Sequence, residues 1–510
     1  MNDLEDTRQI NYSKKISKNA LFNLLGSAFT MLVTFAAMPF IVHRLGASSF
    51  GVLTLALTIA GYFTILDIGL GTAIIKFLSE KKNDSNRGLE ENSLIGTAML
   101  INLAAGAVGA ACLFITAPYI ISTFRLDAKS LADATAALRI CSLMFFINMS
   151  SAVFSAIPQA KQRFDLLSAI RTSAYIIQTL GIVLLLHYGY SLSSVAWCYV
   201  ASSTFTMIVF FLVARSLMSG KTSFIPFFDK SSCRLLLSFG CYFSVAKLSS
   251  ILLNNVDKLL IGLFLGVERV SYYAAPFLLT SWIYKISMIV APVTMPAASE
   301  FMSLGDKQRL KRLSIRGTKY LLMCSIPPAV FLAATPELTL NLWMGPEFAM
   351  NGSAAMIPLV IGVFLQGIIA VQSMILVGAG KIKLMSNATM IGGIVSVALC
   401  FMLTKTLGIA GAATAYAAGA ATIAIPVFIY GCRLSDVGFR EIASAAFLRP
   451  TGAAIINFFF IIAFRHMVGS LIELIVFACA SATVYASSLF ILKAIDKDDI
   501  AAIKNFVPKH

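Results

Sequence analysis

The chain is 510 residues long, 58% hydrophobic and 13% charged, with a mean hydropathy of +0.83 and a formal net charge of +16. That balance lies far outside the range of a water-soluble domain and excludes a sizeable cytosolic body. The 40 Lys and Arg residues stand mostly in short loops beside apolar stretches, where they fix topology and meet anionic headgroups, so the positive balance points to membrane lipids and not to nucleic acid.

From Ala20 to Leu492 about fourteen apolar stretches follow one another, each long enough to cross a hydrocarbon core about 30 Å thick as a helix. The amino-terminal segment is polar through Lys18 and leads straight into the first stretch, which is read as a retained helix and not a signal peptide. The predicted spans are 20–42, 50–75, 94–117, 138–158, 169–188, 194–214, 238–265, 271–297, 315–335, 353–377, 386–404, 411–431, 451–464 and 470–492. With the amino terminus inside, about thirty Lys/Arg fall in cytoplasmic segments, about seven in outward segments and about three within helices. Lys14, Lys15 and Lys18 begin this pattern, and Lys307, Arg309, Lys311, Arg312 and Arg316 form its densest cluster. Both termini are therefore expected to be cytoplasmic.

A shift of about 220 residues lays Leu45-Gly46 over Leu265-Gly266 and Ser79-Glu80 over Ser299-Glu300. Six crossings separate the two halves, so the repeats are parallel. The predicted fold is an all-α polytopic membrane protein with two pseudo-symmetric six-helix lobes and a carboxy-terminal helix pair. Residues 1–220 form the N-lobe and 221–431 the C-lobe, with the loop 215–237 as linker. Residues 432–510 open with a cytoplasmic loop, 432–450, and add spans thirteen and fourteen and a cytoplasmic tail. A substrate path is expected between the lobes.

Charged groups at the bilayer centre cost roughly 2.5–3.5 kcal/mol on insertion scales and are functional candidates by default. Asp67, Lys247, Asp257, Lys258 and Lys285 qualify. Lys247, Asn254 and Lys258 share one helical face, which is predicted to look into water. Lys258 and Asp257 lie within about two turns of a helix end and equally fit an interfacial placement, and a buried ion pair is the competing reading for Lys247 and Lys285. Asp67 stands in Asp67-Ile68-Gly69-Leu70-Gly71, where a cap, a hinge and ion binding are all open; Asp257 is the other candidate for ion coupling. Asn19, Asn23, Gly26 and Thr30 form a narrow polar stripe on helix one, with helix packing the competing reading for Gly26 and Thr30. Gly411, Ala415 and Gly419 read as a packing seam. Gln366, Gln372 and Asn148 either line a path or bond across helices, and Trp343, Tyr119 and Tyr188 fit an outer aromatic belt.

Nine scattered cysteines without a C-x-x-C spacing predict no disulfide framework, and His43, His187, His466 and His510 lack any paired spacing that would hold a metal. Gly378-Ala379-Gly380-Lys381 lacks the P-loop spacing, so ATP hydrolysis is not expected. No cofactor is expected; Na+, H+ and the membrane potential, worth about 2.3 kcal/mol per charge per 100 mV, are the candidate energy sources.

The ordered set Asn23, Pro39, Leu45-Gly46, Phe50-Gly51, Asp67-Ile68-Gly69-Leu70-Gly71, Asp257-Lys258, Gly262, Leu265-Gly266 and Tyr272-Tyr273-Ala274-Ala275-Pro276 resembles the bacterial polysaccharide exporters. These are the O-antigen and lipid-linked oligosaccharide flippases of the multidrug, oligosaccharidyl-lipid and polysaccharide exporter superfamily. Leu342-Trp343-Met344-Gly345-Pro346-Glu347-Phe348 and Leu407-Gly408-Ile409-Ala410-Gly411 extend the resemblance over nearly the whole chain. It implies two lobes forming a V in the bacterial inner membrane. The substrate would be a sugar chain on an undecaprenyl-diphosphate type of lipid, passed outward by alternating access for surface polysaccharide synthesis, with polysaccharide polymerase machinery as a partner. Lys247, Lys258 and Lys285 would face the diphosphate, with Asn23 and Asn254 completing the cavity set. Relatives often carry arginine in the cavity; lysine offers a point charge without a bidentate fork, and Arg139 and Arg171 stand only near helix ends, which leaves room for loop residues such as Lys161 and Arg163. A lipid II flippase and an ion-coupled drug antiporter share the fold. A membrane enzyme is disfavoured because the longest outward loop, about 118–137, carries only Arg125, Asp127, Lys129 and Asp133.

Overall fold

The computed structural model describes residues 26–67, 69–79, 87–124, 126–218 and 224–495. Asn23, with Asn19, lies outside them. Among the described residues the regular structure is helical throughout: α1 (Gly26–Leu45), α2 (Ala47–Phe63), α3 (Leu70–Ser79), α4 (Arg87–Ser122), α5 (Ala128–Ala160), α6 (Phe164–His187), α7 (Leu192–Leu217), α8 (Lys230–Leu265), α9 (Val267–Ser303), α10 (Lys307–Ala334), α11 (Pro336–Met344), α12 (Pro346–Ile368), α13 (Ala370–Gly378), α14 (Ile382–Leu434), α15 (Phe439–Ile442), α16 (Leu448–Phe464) and α17 (Leu471–Ile491). Twelve helical stretches among the described residues are long and apolar enough to cross a membrane. The longest, α14, contains a non-helical Gly408 (φ 62, ψ −142) and is two spans joined at that bend. With the 37-residue α9, the spans match the fourteen of the sequence. The protein is an all-α, multi-pass membrane protein.

The chain divides into two compact units, Met1–Ser271 and Tyr272–His510. In the first, Leu70 and Ile74 of α3, Ile95 of α4 and Val153 and Ile157 of α5 are fully buried in one cluster. Helix α8 packs on α2, α3 and α4 and lies in the first unit. In the second unit Phe331 of α10, Ile461 of α16 and Phe477 of α17 share a cluster, so the carboxy-terminal hairpin is docked on α10. Between helices in lipid such contacts hold by dispersion and close fit.

Several expected boundaries move. Helix seven begins at Lys230 and not 238, because Asp229 caps it by accepting from the Ser232 amide at 2.8 Å. The 432–450 loop shrinks to a few residues: α15 follows, and a π-helical turn, Ala443–Phe447, carries the chain into α16. Trp343 is 2% exposed and belongs to the core, not to an outer belt; its short helix α11 packs against α12. Tyr119 and Tyr188 are exposed, as a belt requires. Gln366 donates to the Tyr416 hydroxyl at 2.8 Å, and the buried Gln372 joins Ser314 and Thr318, so both glutamines bond across helices.

Candidate functional site

The segment read as one span, 50–75, is broken. Helix α2 tightens into a 3-10 turn at Thr64–Leu66, Asp67 leaves helical geometry (φ −75, ψ 88) and Gly69 takes φ 67 before α3 starts. Glycine has no Cβ to clash in that left-handed conformation, so the break is written into the sequence. At the break the Lys247 ammonium donates to Oδ2 of Asp67 at 3.1 Å. The two side chains keep 32% and 25% of their surface exposed. The other carboxylate oxygen, Oδ1, is buried and has no hydrogen-bond partner among the described residues. The arrangement is an ion pair with a spare acceptor, set at an interruption of a membrane helix, the kind of place where irregular backbone is tolerated only against protein or a wet cavity.

About three turns further along α8 lies a different environment. Lys258 is 8% exposed and Asp257 4%; their charged atoms are 3.5 Å apart, and the Lys258 ammonium donates back to the Asn254 carbonyl at 2.8 Å. Asn254 donates its own side-chain amide to the Ser250 carbonyl at 2.9 Å. The expectation of one face open to water along Lys247, Asn254 and Lys258 is therefore corrected: Lys247 is half-exposed at the break, while Lys258 is folded into protein. A helical wheel gives direction but not what packs there. Lys285 of α9 is exposed and belongs to the second unit, as the carboxylate–lysine pairs belong to the first. On helix one, a Cβ on Gly26 would lie 2.5 Å from the Ser168 hydroxyl oxygen, so that glycine serves close packing against α6.

Two residues were missed. Asn102, in the middle of α4, is fully buried and neither side-chain atom has a hydrogen-bond partner among the described residues, a cost of about 1–3 kcal/mol where unrelieved. It shares a face with Gly106 and Gly109. A Cβ on Gly109 would fall 2.7 Å from Leu66, so this face of α4 abuts the turn that carries Asp67. The i, i+4, i+7 spacing of Asn102, Gly106 and Gly109 was the available signal. Lys319 of α10 is 5% exposed, a buried lysine inside the predicted span 315–335. No group of three or more His, Cys, Asp or Glu side chains among the described residues could hold a metal.

Comparison places this helical membrane protein, with its charged pair at a helix break, in a family. Residues 41–351 match the polysaccharide biosynthesis protein family, and the chain belongs to it. Among similar proteins is a putative O-antigen transporter of Shigella flexneri, 24% identical over 79% of this chain and 94% of the relative. A probable low-salt glycan biosynthesis flippase of Haloferax volcanii, Agl15, is 21% identical over 79% and 80%. Among solved structures, the lipid II flippase MurJ in an inward closed conformation aligns with a TM-score of 0.73 at 14% identity, covering 93% of this chain and 100% of that one. An inward-facing multidrug resistance MATE transporter aligns at 0.61 and 16% identity, covering 82% and 98%. At those identities the likeness establishes the fold.

Proposed function

We propose that this protein is a flippase that carries an isoprenoid-diphosphate-linked oligosaccharide from the cytoplasmic to the outer leaflet of a bacterial inner membrane, for cell-surface polysaccharide synthesis. The observation that carries this reading is the family match over residues 41–351, supported by relatives named as an O-antigen transporter and a glycan flippase. Both termini face the cytoplasm on the basic-residue pattern. The lipid tail stays in the bilayer while the head group crosses a polar path as the two halves of the repeat rock.

Lys247 and Lys285 supply the positive charge that a diphosphate needs in a low-dielectric path. Asn254, on α8 with Lys247, belongs to the same path. Lys258, held by Asp257, acts on the substrate through the field of the pair and not by direct approach. Asp67 couples the cycle: its free oxygen takes a proton or Na+, which weakens its hold on Lys247 and frees the ammonium for the diphosphate, and the membrane potential acts on whichever charge moves. The acceptor of the delivered sugar is the polysaccharide polymerase machinery. Lipid II is the second reading for the substrate, favoured by the TM-score of 0.73 with MurJ.

The test is leaflet transfer in liposomes that hold the purified protein, with labelled undecaprenyl-diphosphate oligosaccharide or lipid II, read by access of an impermeant enzyme. Transfer of the oligosaccharide above protein-free liposomes, lost in Lys247→Ala and in Lys285→Ala, is the expected result. Transfer of lipid II alone establishes the second reading; transfer of neither, with folded protein and an imposed Na+ or H+ gradient, refutes both.

A further inference from the structure

Helices α4, α5 and α7 enclose a cleft of about 530 Å³ within the first unit, lined by neither Asp67 nor Lys247. Ala111 and Phe114 of α4, Leu143 and Phe146 of α5 and Trp197 of α7 line it, and Arg139 of α5 is its one charged residue. Phe114, Leu143 and Trp197 are each 40% exposed or more, so the cleft opens sideways towards lipid. The Arg139 guanidinium lies 4.9 Å from the centroid of the Phe114 ring, and no carboxylate among the described residues pairs with it.

Arg139, expected near a helix end, instead sits about 16 Å along α5 from its first turn, because that helix starts at Ala128 and not at 138, and Phe114 lies about 12 Å before the end of α4, at the helical rise of about 1.5 Å per residue. Both measure from the end of the bundle where α4 turns into α5. Side chains on a helix lean towards its amino terminus, which on α5 is that same end, so the guanidinium rises towards the headgroup layer while its stem lies on the apolar wall. Trp197, a few residues into α7, is at the level that indoles prefer.

We propose that this cleft binds one bilayer phospholipid, with the phosphate on Arg139 and an acyl chain along the apolar wall. Charge complementarity selects the headgroup, because an arginine at this depth without a carboxylate is costly and its planar fork matches a phosphate oxygen pair. Cleft volume selects the tail: about 530 Å³ suits a single acyl chain and is too small for a long polyisoprenoid. An anionic glycerophospholipid such as phosphatidylglycerol meets both conditions. On the orientation proposed above the site lies in the outer leaflet; its chemistry does not depend on that orientation.

The test titrates phosphatidylglycerol onto the purified full-length protein in detergent and counts bound lipid by native mass spectrometry. One saturable lipid per chain is expected, with binding about tenfold weaker or worse in Arg139→Gln, partly restored in Arg139→Lys, and weakened in Trp197→Ala, which keeps the charge. Diacylglycerol, lacking the phosphate, binds weakly and is indifferent to Arg139→Gln. Melting temperature in lipid-free detergent confirms that Arg139→Gln is folded. Equal phosphatidylglycerol affinity in wild type and Arg139→Gln overturns the proposal, as does displacement of phosphatidylglycerol by undecaprenyl phosphate at lower concentration, which would assign the cleft to the isoprenoid lipid. Leaflet transfer of the oligosaccharide is scored separately and bears on the flippase reading alone.

Discussion

Lys247 and Asp67 meet across a gap of 180 positions in sequence, with Nζ 3.1 Å from Oδ2, and they join α8 to the broken helix α2–α3. Partial exposure of both side chains keeps the pair within reach of water and of a charged head group. Its value for folding is accordingly modest; on the function proposed above, its value for transport is the exchange of partners that such a site permits.

Lys247→Ala is expected to cut leaflet transfer at least about tenfold, about 1.4 kcal/mol in the transport barrier, with the protein still in the membrane at normal level. Asp67→Asn is expected to lower transfer too and to remove its response to an imposed H+ or Na+ gradient. If the two residues work as one unit, the double variant is no worse than the poorer single one. Additive losses, measured by initial transfer rates in the same liposomes, would show that the residues act independently.

Two glycines give opposite expectations. A Cβ on Gly51 would fall 2.1 Å from the Val267 carbonyl oxygen, whereas on Gly71 nothing lies closer than 3.9 Å. Gly51→Ala is expected to lose folded protein. Gly71→Ala, inside α3, is expected to hold or gain about 0.5–1 kcal/mol from reduced backbone entropy. Melting temperatures and detergent-extracted yields of the two variants decide it.

Asp229 predicts a pH effect outside the membrane. The Ser232 amide, with the Ser232, Ser231 and Ser93 hydroxyls, holds its carboxyl well below the usual carboxylate range. A folded-state value below the unfolded one stabilises the folded protein above the ordinary carboxylate pKa of about 3.9, and the gain is lost as pH falls through the lower folded value. Asp229→Asn is expected to melt below wild type at pH 7, with the gap closing under acid. A constant gap from pH 7 to pH 3 would mean that the cap acts without its charge.

The membrane fold was legible because a run of apolar residues long enough to span lipid has few other uses in a folded chain. Leu45-Gly46 and Leu265-Gly266, which suggested the repeat, also adopt one backbone conformation, φ 80, ψ 157 at Gly46 and φ 97, ψ 162 at Gly266, open to glycine alone. The site was legible only as a set of charges. That Asp67 stands at an interruption follows from its glycines; that Lys247 is its partner depends on packing of α8, which no local pattern encodes. Lys258 and Trp343 were misjudged for one reason: their position along a helix was readable, and the neighbours that bury them come from distant parts of the chain. Asn102 escaped attention because it is uncharged, although an unmatched amide inside a membrane helix is as conspicuous physically as a lysine.

The hairpin of α14 leaves almost no room between its arms. A Cβ on Gly392 would stand 2.7 Å from the Gly419 carbonyl oxygen, and one on Gly411 2.1 Å from that of Leu403. A saturation mutagenesis screen scored by surface polysaccharide would therefore find these glycines as intolerant as Lys247, for reasons of packing. Sorting such a screen by protein abundance separates the two groups: the glycines vanish with the protein, and the residues that remain dead at normal abundance trace the path of the cargo.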